Sequence, residues 1–359
     1  MLHVLLLLVC AVAIYLACEW FVNAIEWLGA RMHIGSVAVG SILAAAGTAL
    51  PESVVTLVAV LLGSETAGDD IAVGAALGGP LVVGTIAYGV TGAMLLLRHR
   101  GNARTKATAA LGADNGVHRP ERRGEQGQPQ GAAADFSGVD TGRMATDQTW
   151  FIVIFVVKVA LGLVAFAIKP WLGLLFFAAY GVYFWREMRD DGDAASHADL
   201  EPLKLQRRRA QPATWAVLTQ TVATLAVIFV ASQLFVRQLE WAGPALGLPA
   251  VVVALLLSPV ATELPEILNA IIWVRQGKTR LALANISGAM MIQATVPSGI
   301  GLLGTPWMFD TPLLLAGAAT LASVIYLLTM FRRGTITAGR LTVAAGFYAV
   351  FAVALVTLP

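Results

Sequence analysis

The stretch at 47–52 reads GTALPE and the stretch at 261–266 reads ATELPE, so one short pattern occurs twice in strongly apolar surroundings. A proline in a membrane helix removes one backbone donor and frees the carbonyl group four residues earlier. Each copy therefore places a glutamate beside a freed carbonyl and a threonine hydroxyl. These groups are the carbonyls of Gly47 and Ala261, the hydroxyls of Thr48 and Thr262, and the carboxylates of Glu52 and Glu266. We interpret each copy as half of a cation site.

The composition is that of an integral membrane protein. Hydrophobic residues make up 57% of the chain and charged residues only 13%, against about 25% charged residues in soluble proteins. A spanning helix needs about 20 apolar residues, and ten spans are predicted. They are 1–28, 35–62, 71–97, 149–168, 170–186, 213–238, 246–274, 280–303, 311–331 and 336–357. The two cysteines both lie in the first span, which excludes a disulfide framework and a four-ligand zinc site.

The basic residues predict the orientation of these spans. With the N-terminus outside, the inner loops hold all of the 24 basic residues except Lys158, Lys169 and Arg237, and the outer segment 63–70 is acidic. Basic loops stay on the cytoplasmic side. Because each half has an odd number of spans, the second half enters the membrane from the opposite side. The predicted fold is an all-α integral membrane protein with ten transmembrane helices as two inverted five-helix repeats, and the binding site lies where they meet.

Two polar segments define the predicted domain organisation. The first five-helix repeat covers 1–188 and contains a flexible cytosolic loop at 98–149, which is too poor in aliphatic and aromatic residues to build a core. A cytosolic linker follows at 189–212, and the second, inverted repeat covers 213–359. The basic clusters in both segments are interpreted as signals that set the orientation in the membrane.

Inverted repeats would bring the oxygen atoms of the two motif copies together. Calcium takes about six to eight oxygen ligands in irregular geometry, and two glutamates neutralise its charge. A simpler alternative is that each proline only bends its helix and each glutamate pairs with a buried base. Lys158 is the one base predicted at mid-membrane depth, and one lysine cannot satisfy three acidic residues together. Carboxylates without partners inside a membrane mark functional sites.

In these residues the chain resembles the sodium/calcium exchangers and the related calcium:cation antiporters. Their two inverted repeats carry motifs close to GTSLPE, each followed by GNxxGSN, and the stretches 35–97 and 246–303 match those repeats in length and character. The resemblance implies that Ca2+ is bound from two opposite helices and that its transport is coupled to Na+ or H+. The ligands that it implies are Glu52, Glu266, Thr48 and Thr262.

The sequence departs from the family pattern where sodium ligands are expected. The family's serine, asparagine or aspartate is replaced at six positions, by Ala49, Gly79, Val83, Glu263, Ala289 and Gln293. These changes remove several oxygen ligands and put Na+ coupling at those positions in question. Asn285 and Gln293 are polar enough to be further ligands, ranked below the glutamates.

Glu263 offers a different coupling ion. It lies three residues before Glu266 on nearly the same helix face, and two carboxylates in a dry site do not both ionise easily. A proton could therefore replace sodium. The alternative is that Glu263 points into an aqueous vestibule and only attracts cations.

Weaker signals concern packing and pairing. Small residues four positions apart predict close contact between helices, at Gly74 with Gly78 and at Ala284 with Gly288. Glu19 and Glu26 on the first span are predicted interfacial residues, with Glu19 paired to Lys158.

The leading prediction is a secondary antiporter that exchanges Ca2+, or another divalent cation, for H+ or Na+ by alternating access. One alternative is a monovalent cation/proton antiporter. Another is an intramembrane enzyme that uses the buried glutamates as acid and base, but no nucleophile, metal triad or phosphate-binding cluster is predicted at membrane depth. No catalytic residue is therefore assigned.

The predicted partners are the lipid bilayer and inorganic cations, with no nucleic acid and no cofactor besides the transported ions. The predicted location is the plasma (inner) membrane. The coupling ion, the stoichiometry, the direction of transport and the oligomeric state stay open at this point.

Overall fold

Helices make up the architecture. The computed structural model describes residues 2–62, 67–98, 136, 138–189, 200–245, 247 and 253–357, and no β-strand occurs in these ranges. Their main helical stretches are numbered α1 to α10 in chain order. α1 is Leu2–Arg31, α2 covers 36–62, α3 covers 67–98, α4 is Thr141–Leu161, α5 is Gly173–Arg189, α6 is Thr214–Ala245, α7 covers 253–275, α8 is Thr279–Gly304, α9 is Thr311–Arg332 and α10 is Ala338–Thr357.

Most of these helices are able to cross a membrane. Seven helices in the described ranges are long and apolar enough, and eight are if the two bent parts of α7 form one span. The remaining two predicted spans correspond to α2, whose apolar part Ser36–Ala49 is shorter, and to α5, which has 17 residues after the 3-10 turn Pro170–Leu172. The chain is thus an all-α integral membrane protein, while ten crossings and an inverted repeat stay predictions.

Three helices contain wider, π-helical segments. α2 consists of Ser36–Ala38, the π-helical Val39–Ala44 and the α-helix Ala45–Leu62. α3 consists of Ala67–Val82, the π-helical Val83–Ala87 and an α-helical part at 88–98. α7 consists of the π-helical Val253–Leu257 and the α-helices Ser258–Thr262 and Leu264–Arg275. In α2 and α7 the π-helical segment precedes the glutamate motif, and such segments are frequent at functional sites.

Helix α4 begins earlier than the predicted span at 149–168. Asp140 caps its N-terminus, because its Oδ1 accepts hydrogen bonds from the N–H groups of Gly142 at 2.9 Å and Arg143 at 3.0 Å. The first turns carry polar side chains that are buried against protein, so a search for apolar runs places the helix too late. Residues 141–149 therefore belong to a helix and not to the predicted loop, whose residues 99–135 lie outside the described ranges.

The described part of the predicted linker, residues 200–212, packs against the ends of α1 and α6. Leu203 is fully buried in a cluster with Trp27 and Ala216. The indole Nε1 of Trp27 donates to the carbonyl oxygen of Glu201 at 2.9 Å. These contacts hold the segment against α1 and α6.

Glycines bring helices from the two halves of the chain into close contact. A Cβ at Gly288 of α8 would overlap the carbonyl oxygen of Ser41 in α2, and a Cβ at Gly78 of α3 would lie 2.6 Å from Cγ of Pro259 in α7. The close packing predicted at Gly78 and Gly288 is therefore present. Gly74 has open space where a side chain would be, so the prediction is wrong at that position.

Candidate cation site

The second glutamate motif lies at a break in α7. The helix axis turns by 52° between Leu255–Thr262 and Leu264–Arg275, and Glu263 is the residue between the two parts, with φ −83° and ψ 3°. Pro265 contributes to the break because it has no N–H to continue the helical hydrogen bonds. Glu263 thereby occupies the N-cap position of the second part, without a capping hydrogen bond from its side chain, and Glu266 lies in the first turn. At this end the helix dipole stabilises negative charge.

Thr48 of the first motif meets Glu266 of the second. Both side chains are fully buried, and the Thr48 hydroxyl lies beside the Glu266 carboxylate. That hydroxyl donates its proton to the carbonyl oxygen of Ala44 at 3.1 Å. No residue that the structure describes, Thr48 included, donates a well-aligned hydrogen bond to either carboxylate oxygen of Glu266. Acceptor oxygens from both motif copies therefore face each other, an arrangement that a cation would complete.

Glu263 is held by α8 and approached by α3. Nε2 of Gln293 donates to Oε2 of Glu263 at 2.5 Å, and both side chains are buried. Gly79 makes room for this pair, because a Cβ there would lie 2.8 Å from Oε1 of Glu263 and 3.2 Å from Oε1 of Gln293. Glu263 also interacts electrostatically with Glu266. A fully buried carboxylate does not fit the alternative of an open aqueous vestibule.

The remaining predicted ligands of α7 and α8 are Asn285, Thr262 and Ala261. Asn285 is fully buried, and neither its side-chain nitrogen nor its oxygen has a hydrogen-bond partner within the described ranges. Thr262 is half-buried and donates to the carbonyl oxygen of Pro259 at 3.1 Å, while Ala261 is buried. The hydroxyl of Thr262, like that of Thr48, thus donates its proton to a backbone carbonyl oxygen of its own helix.

The first motif is described only in part. Gly47 is packed so that a Cβ would lie 2.9 Å from Cζ of Phe21. The backbone of Glu52 belongs to the helix Ala45–Leu62, but its side chain lies outside what the structure describes. Within the described residues there is no group of three or more His, Cys, Asp and Glu side chains that could hold a metal ion. The predicted pairing of Glu52 with Glu266 is therefore untested.

Asn269 is a buried polar residue that the sequence analysis did not single out. It lies three residues after Glu266, on the same face of α7, and is fully buried. Neither polar atom of its side chain has a hydrogen-bond partner in the described part of the chain. Its signal in the sequence is a carboxamide one turn after an intramembrane glutamate.

Lys158, the base considered as a partner for the glutamates, is engaged elsewhere. It lies in the last turn of α4, is fully buried, and donates to the carbonyl oxygen of Ala76 at 2.6 Å. The predicted pair of Glu19 with Lys158 is wrong, because Glu19 pairs with Lys204 at 3.0 Å. The helix ends at Leu161, seven residues before the end of the predicted span at 168, so Lys158 lies near the end of its helix and not in the middle of a span.

A second set of charges, in which the acidic side chains are buried, joins α4 to α5 and was missed by the sequence analysis. Nη2 of Arg186 donates to Oδ1 of Asp147 at 2.7 Å, and Arg143 pairs with Glu187. Both acidic side chains are 1% exposed. These four residues are called the α4–α5 charge cluster below. They lie in or next to segments predicted as loops, where charged side chains are expected to be exposed to solvent.

Two serines connect this cluster to the helices that bear the candidate site. The hydroxyl of Ser41 in α2 donates to Oε2 of Glu187 at 2.7 Å. The hydroxyl of Ser287 in α8 donates to Oδ2 of Asp147 at 3.0 Å. The charge cluster therefore links α4 and α5 to the two helices that Gly288 brings into contact.

Comparison with known proteins relates the whole chain to ion exchangers. The sequence profile of the family described as sodium/calcium exchanger protein matches residues 2–188 and 216–357. CaxA of Alkalimonas amylolytica, a protein named as an antiporter, is 28% identical over 97 residues, which are 27% of this chain and 30% of that protein. The alignment thus spans less than a third of that relative's length.

Solved structures of the sodium-calcium exchanger NCX_Mj share the fold. The structure soaked with 2.5 mM Na+ and 0.1 mM Sr2+ has a TM-score of 0.69 at 14% identity. The structure soaked with 2.5 mM Na+ and 0.1 mM Ca2+ has a TM-score of 0.68 at 15% identity. Both comparisons cover 100% of this chain and 99% of the other. At this level of identity the likeness establishes a common fold alone.

Proposed function

Because this chain belongs to the sodium/calcium exchanger family, we propose that it is a secondary antiporter that exchanges Ca2+, or another divalent cation, for H+ or Na+ by alternating access. Proteins of this family are cation transporters and not enzymes, so the alternative of an intramembrane enzyme is wrong. The identities of the transported and coupling ions are our proposal.

The contact of Thr48 with Glu266 carries the proposal of a divalent substrate. It joins the two motif copies in one buried place where oxygen atoms meet and where Glu266 receives no well-aligned donor from another described residue. Hard divalent cations prefer oxygen ligands. A charge of 2+ also offsets the unfavourable burial of two carboxylates. We assign the second carboxylate to Glu52, which follows Thr48 by one helical turn.

We assign the rest of the ligand set to further oxygen atoms of α2, α7 and α8. Oxygen atoms are available from Thr262, from the carbonyl groups of Gly47 and Ala261, and from the carboxamides of Asn285 and Asn269. The buried carboxamides support this assignment, since a polar side chain without a partner in a membrane interior is unfavourable until a ligand binds.

The surroundings of Glu263 support coupling to protons. Gly79 and Ala289 offer no side-chain oxygen where the family has serines. Glu263 and Glu266 interact electrostatically, so a divalent ion bound at Glu266 favours ionised Glu263, and a proton on Glu263 disfavours the ion. This linkage is reciprocal and would make the two cations exchange for each other.

A monovalent cation/proton antiporter is the second candidate. It is favoured by the arrangement of two interacting carboxylates on one helix, Glu263 and Glu266, since one proton there could be traded for one Na+ or K+ ion. In either case the transported cations and the lipid bilayer are the proposed partners, with no cofactor and no nucleic acid. The proposed location is the plasma (inner) membrane with the N-terminus outside.

Transport by the purified protein tests the proposal. The chain is reconstituted into lipid vesicles, and uptake of labelled Ca2+ is measured under an imposed pH gradient or an imposed Na+ gradient. Glu266→Gln should abolish uptake. Glu263→Gln should retain Ca2+ binding but lose the response to the pH gradient. Glu201→Gln, at an exposed surface position, is the matched control and should transport like the unmodified protein.

Two results would contradict divalent exchange. One is Ca2+ uptake by Glu266→Gln at the rate of the control. The other is a protein that moves labelled Na+ or K+ under a pH gradient and is indifferent to Ca2+, which would establish the second candidate instead.

A further inference from the structure

Pro80 leaves one backbone carbonyl of α3 without its helical donor. Proline has no N–H, and the carbonyl four residues before it belongs to Ala76. Pro80 lies inside the helix Ala67–Val82, and both residues are buried. In a membrane interior such a carbonyl needs another partner.

Lys158 of α4 supplies that partner. Its Nζ lies 2.6 Å from the carbonyl oxygen of Ala76 and 4.9 Å from the centroid of the Phe155 ring. The side chain is 0% exposed. Since α4 ends three residues later, at Leu161, the lysine lies at the negative end of the helix dipole, which favours a cation. No carboxylate that the structure describes pairs with it.

Trp307 holds the last turn of α4 in place. Its indole Nε1 donates to the carbonyl oxygen of Lys158 at 3.1 Å. The residue is fully buried and has a left-handed backbone conformation, with φ 49°, which is uncommon for a bulky side chain. Its N–H donates to the hydroxyl of Thr305 at 3.1 Å. Hydrogen bonds therefore hold Lys158 at two points, its backbone carbonyl oxygen and its side-chain Nζ.

The Ala76 carbonyl belongs to the same part of α3 as Gly79, which packs against the candidate cation site. Carbonyl groups point toward the C-terminal end of their helix, so this oxygen is directed toward Pro80. Gly79, three residues after Ala76, is the residue whose Cβ would lie 2.8 Å from Oε1 of Glu263. Three residues correspond to about 4.5 Å along the axis. The carbonyl bound by Lys158 is thus about one turn of α3 before the residue that packs against Glu263 and Gln293.

We propose that the ammonium of Lys158 takes the place of a mobile monovalent cation, so that this antiporter carries one of its cations as a fixed charge. The proposal rests on the proposed cation exchange. An ammonium group and Na+ have the same charge and bind the same carbonyl oxygens. Lys158 is therefore a specificity-determining residue, because its ammonium group occupies the Ala76 carbonyl oxygen to which Na+ would bind.

Replacement of Lys158 by methionine tests this. Lys158→Met removes the charge and the donor while keeping a long unbranched side chain, which opens the Ala76 carbonyl to a mobile cation. We expect NaCl to raise the thermal unfolding temperature of the purified variant, relative to equal choline chloride, because an ion that binds the folded state stabilises it. We also expect its Ca2+ uptake to respond to Na+ at concentrations about tenfold lower than for the unmodified protein.

Two further variants separate the proposed role from general damage. The double variant Lys158→Met with Pro80→Ala restores an N–H for the Ala76 carbonyl, so the Na+ response should disappear again. Lys169→Met is the matched control. Lys169 is also buried and donates to carbonyl oxygens, of Val164 at 2.7 Å and of Trp307 at 3.2 Å, but it lies between α4 and α5. Its loss should leave the Na+ response unchanged.

Each outcome decides the matter. A folded Lys158→Met protein whose unfolding temperature and Ca2+ uptake respond to Na+ as in the unmodified protein overturns the proposal. A variant that folds only with added Na+ supports it, and one that stays unfolded at every Na+ concentration overturns it. The unfolding measurement needs no Ca2+ transport, so a failure of the proposed exchange itself would be seen separately, as absent uptake by the unmodified protein.

Discussion

Nε2 of Gln293 lies 2.5 Å from Oε2 of Glu263, and this hydrogen bond joins α8 to the break in α7. A hydrogen bond to a charged group contributes about 1.5–3 kcal/mol to stability, and one between neutral groups about 0.5–1.5 kcal/mol. We expect Gln293→Leu to lower the free energy of unfolding by about 1.5–3 kcal/mol. Chemical unfolding in detergent without divalent cations measures this change.

Gln148 provides the comparison for Gln293. It is equally buried, and its Nε2 donates to the neutral hydroxyl of Tyr88 at 2.8 Å. Gln148→Leu should therefore cost less than Gln293→Leu. A larger loss for Gln148→Leu would contradict the importance assigned to the bond with Glu263.

The α4–α5 charge cluster should be sensitive to the loss of one partner. Glu187→Gln removes the negative charge that pairs with Arg143, and breaking a buried ion pair costs about 3–5 kcal/mol. Glu19→Gln breaks the pair with Lys204, in which the Glu19 side chain is 39% exposed, and should cost at most about 1 kcal/mol. Unfolding of both variants under the same conditions shows the difference, and equal costs would speak against a buried cluster.

Two glycines in similar sequence contexts should respond oppositely to substitution. Gly288→Ala places a methyl group against the backbone of Ser41, so α2 and α8 must separate, and overpacking of this kind costs about 1–3 kcal/mol. Gly74→Ala adds its methyl group to open space in a helix and should stabilise the protein by about 0.4–1 kcal/mol. Thermal unfolding distinguishes the two, and a tolerated Gly288→Ala would show that the helices are less closely packed.

The first turn of α4 depends on its cap. Asp140→Ala removes the acceptor for the N–H groups of Gly142 and Arg143 and should destabilise the protein by about 1 kcal/mol. Asp140→Asn keeps a capping side chain and should be nearly neutral. Hydrogen exchange of the amides in this turn locates the effect. Unchanged protection in Asp140→Ala would mean that the turn is held by other contacts.

Hydropathy predicts the positions of the helices well because lipid imposes one simple demand, a long apolar run. The exception is α4, whose first turns carry the partly buried Arg143 and the buried Asp147. The partners of such charges come from distant parts of the chain, so a local sequence pattern does not predict them. The same reason hides Glu187, which lies at the end of α5 where charges normally face water.

The candidate site was predictable where the chemistry is local. A glutamate next to a proline in an apolar run indicates a cation site, and Thr48 does meet Glu266. For the contact between Lys158 and Ala76, the sequence predicts the free carbonyl but not the side chain that binds it. Pro80 shows in the sequence that the Ala76 carbonyl loses its donor, but the packing of α4 against α3 decides which side chain replaces that donor.

The break at Glu263 has a consequence for the resting state of the protein. The axis of α7 bends by 52° at its glutamate motif. The corresponding motif of α2 lies within the continuous helix Ala45–Leu62. A transporter built from two identical halves would be indifferent to which side of the membrane it faces. Because only one of the two motif helices is bent, we expect the unliganded form of the proposed antiporter to favour opening to one side of the membrane, and we expect a bend placed in α2 instead of α7 to reverse that preference.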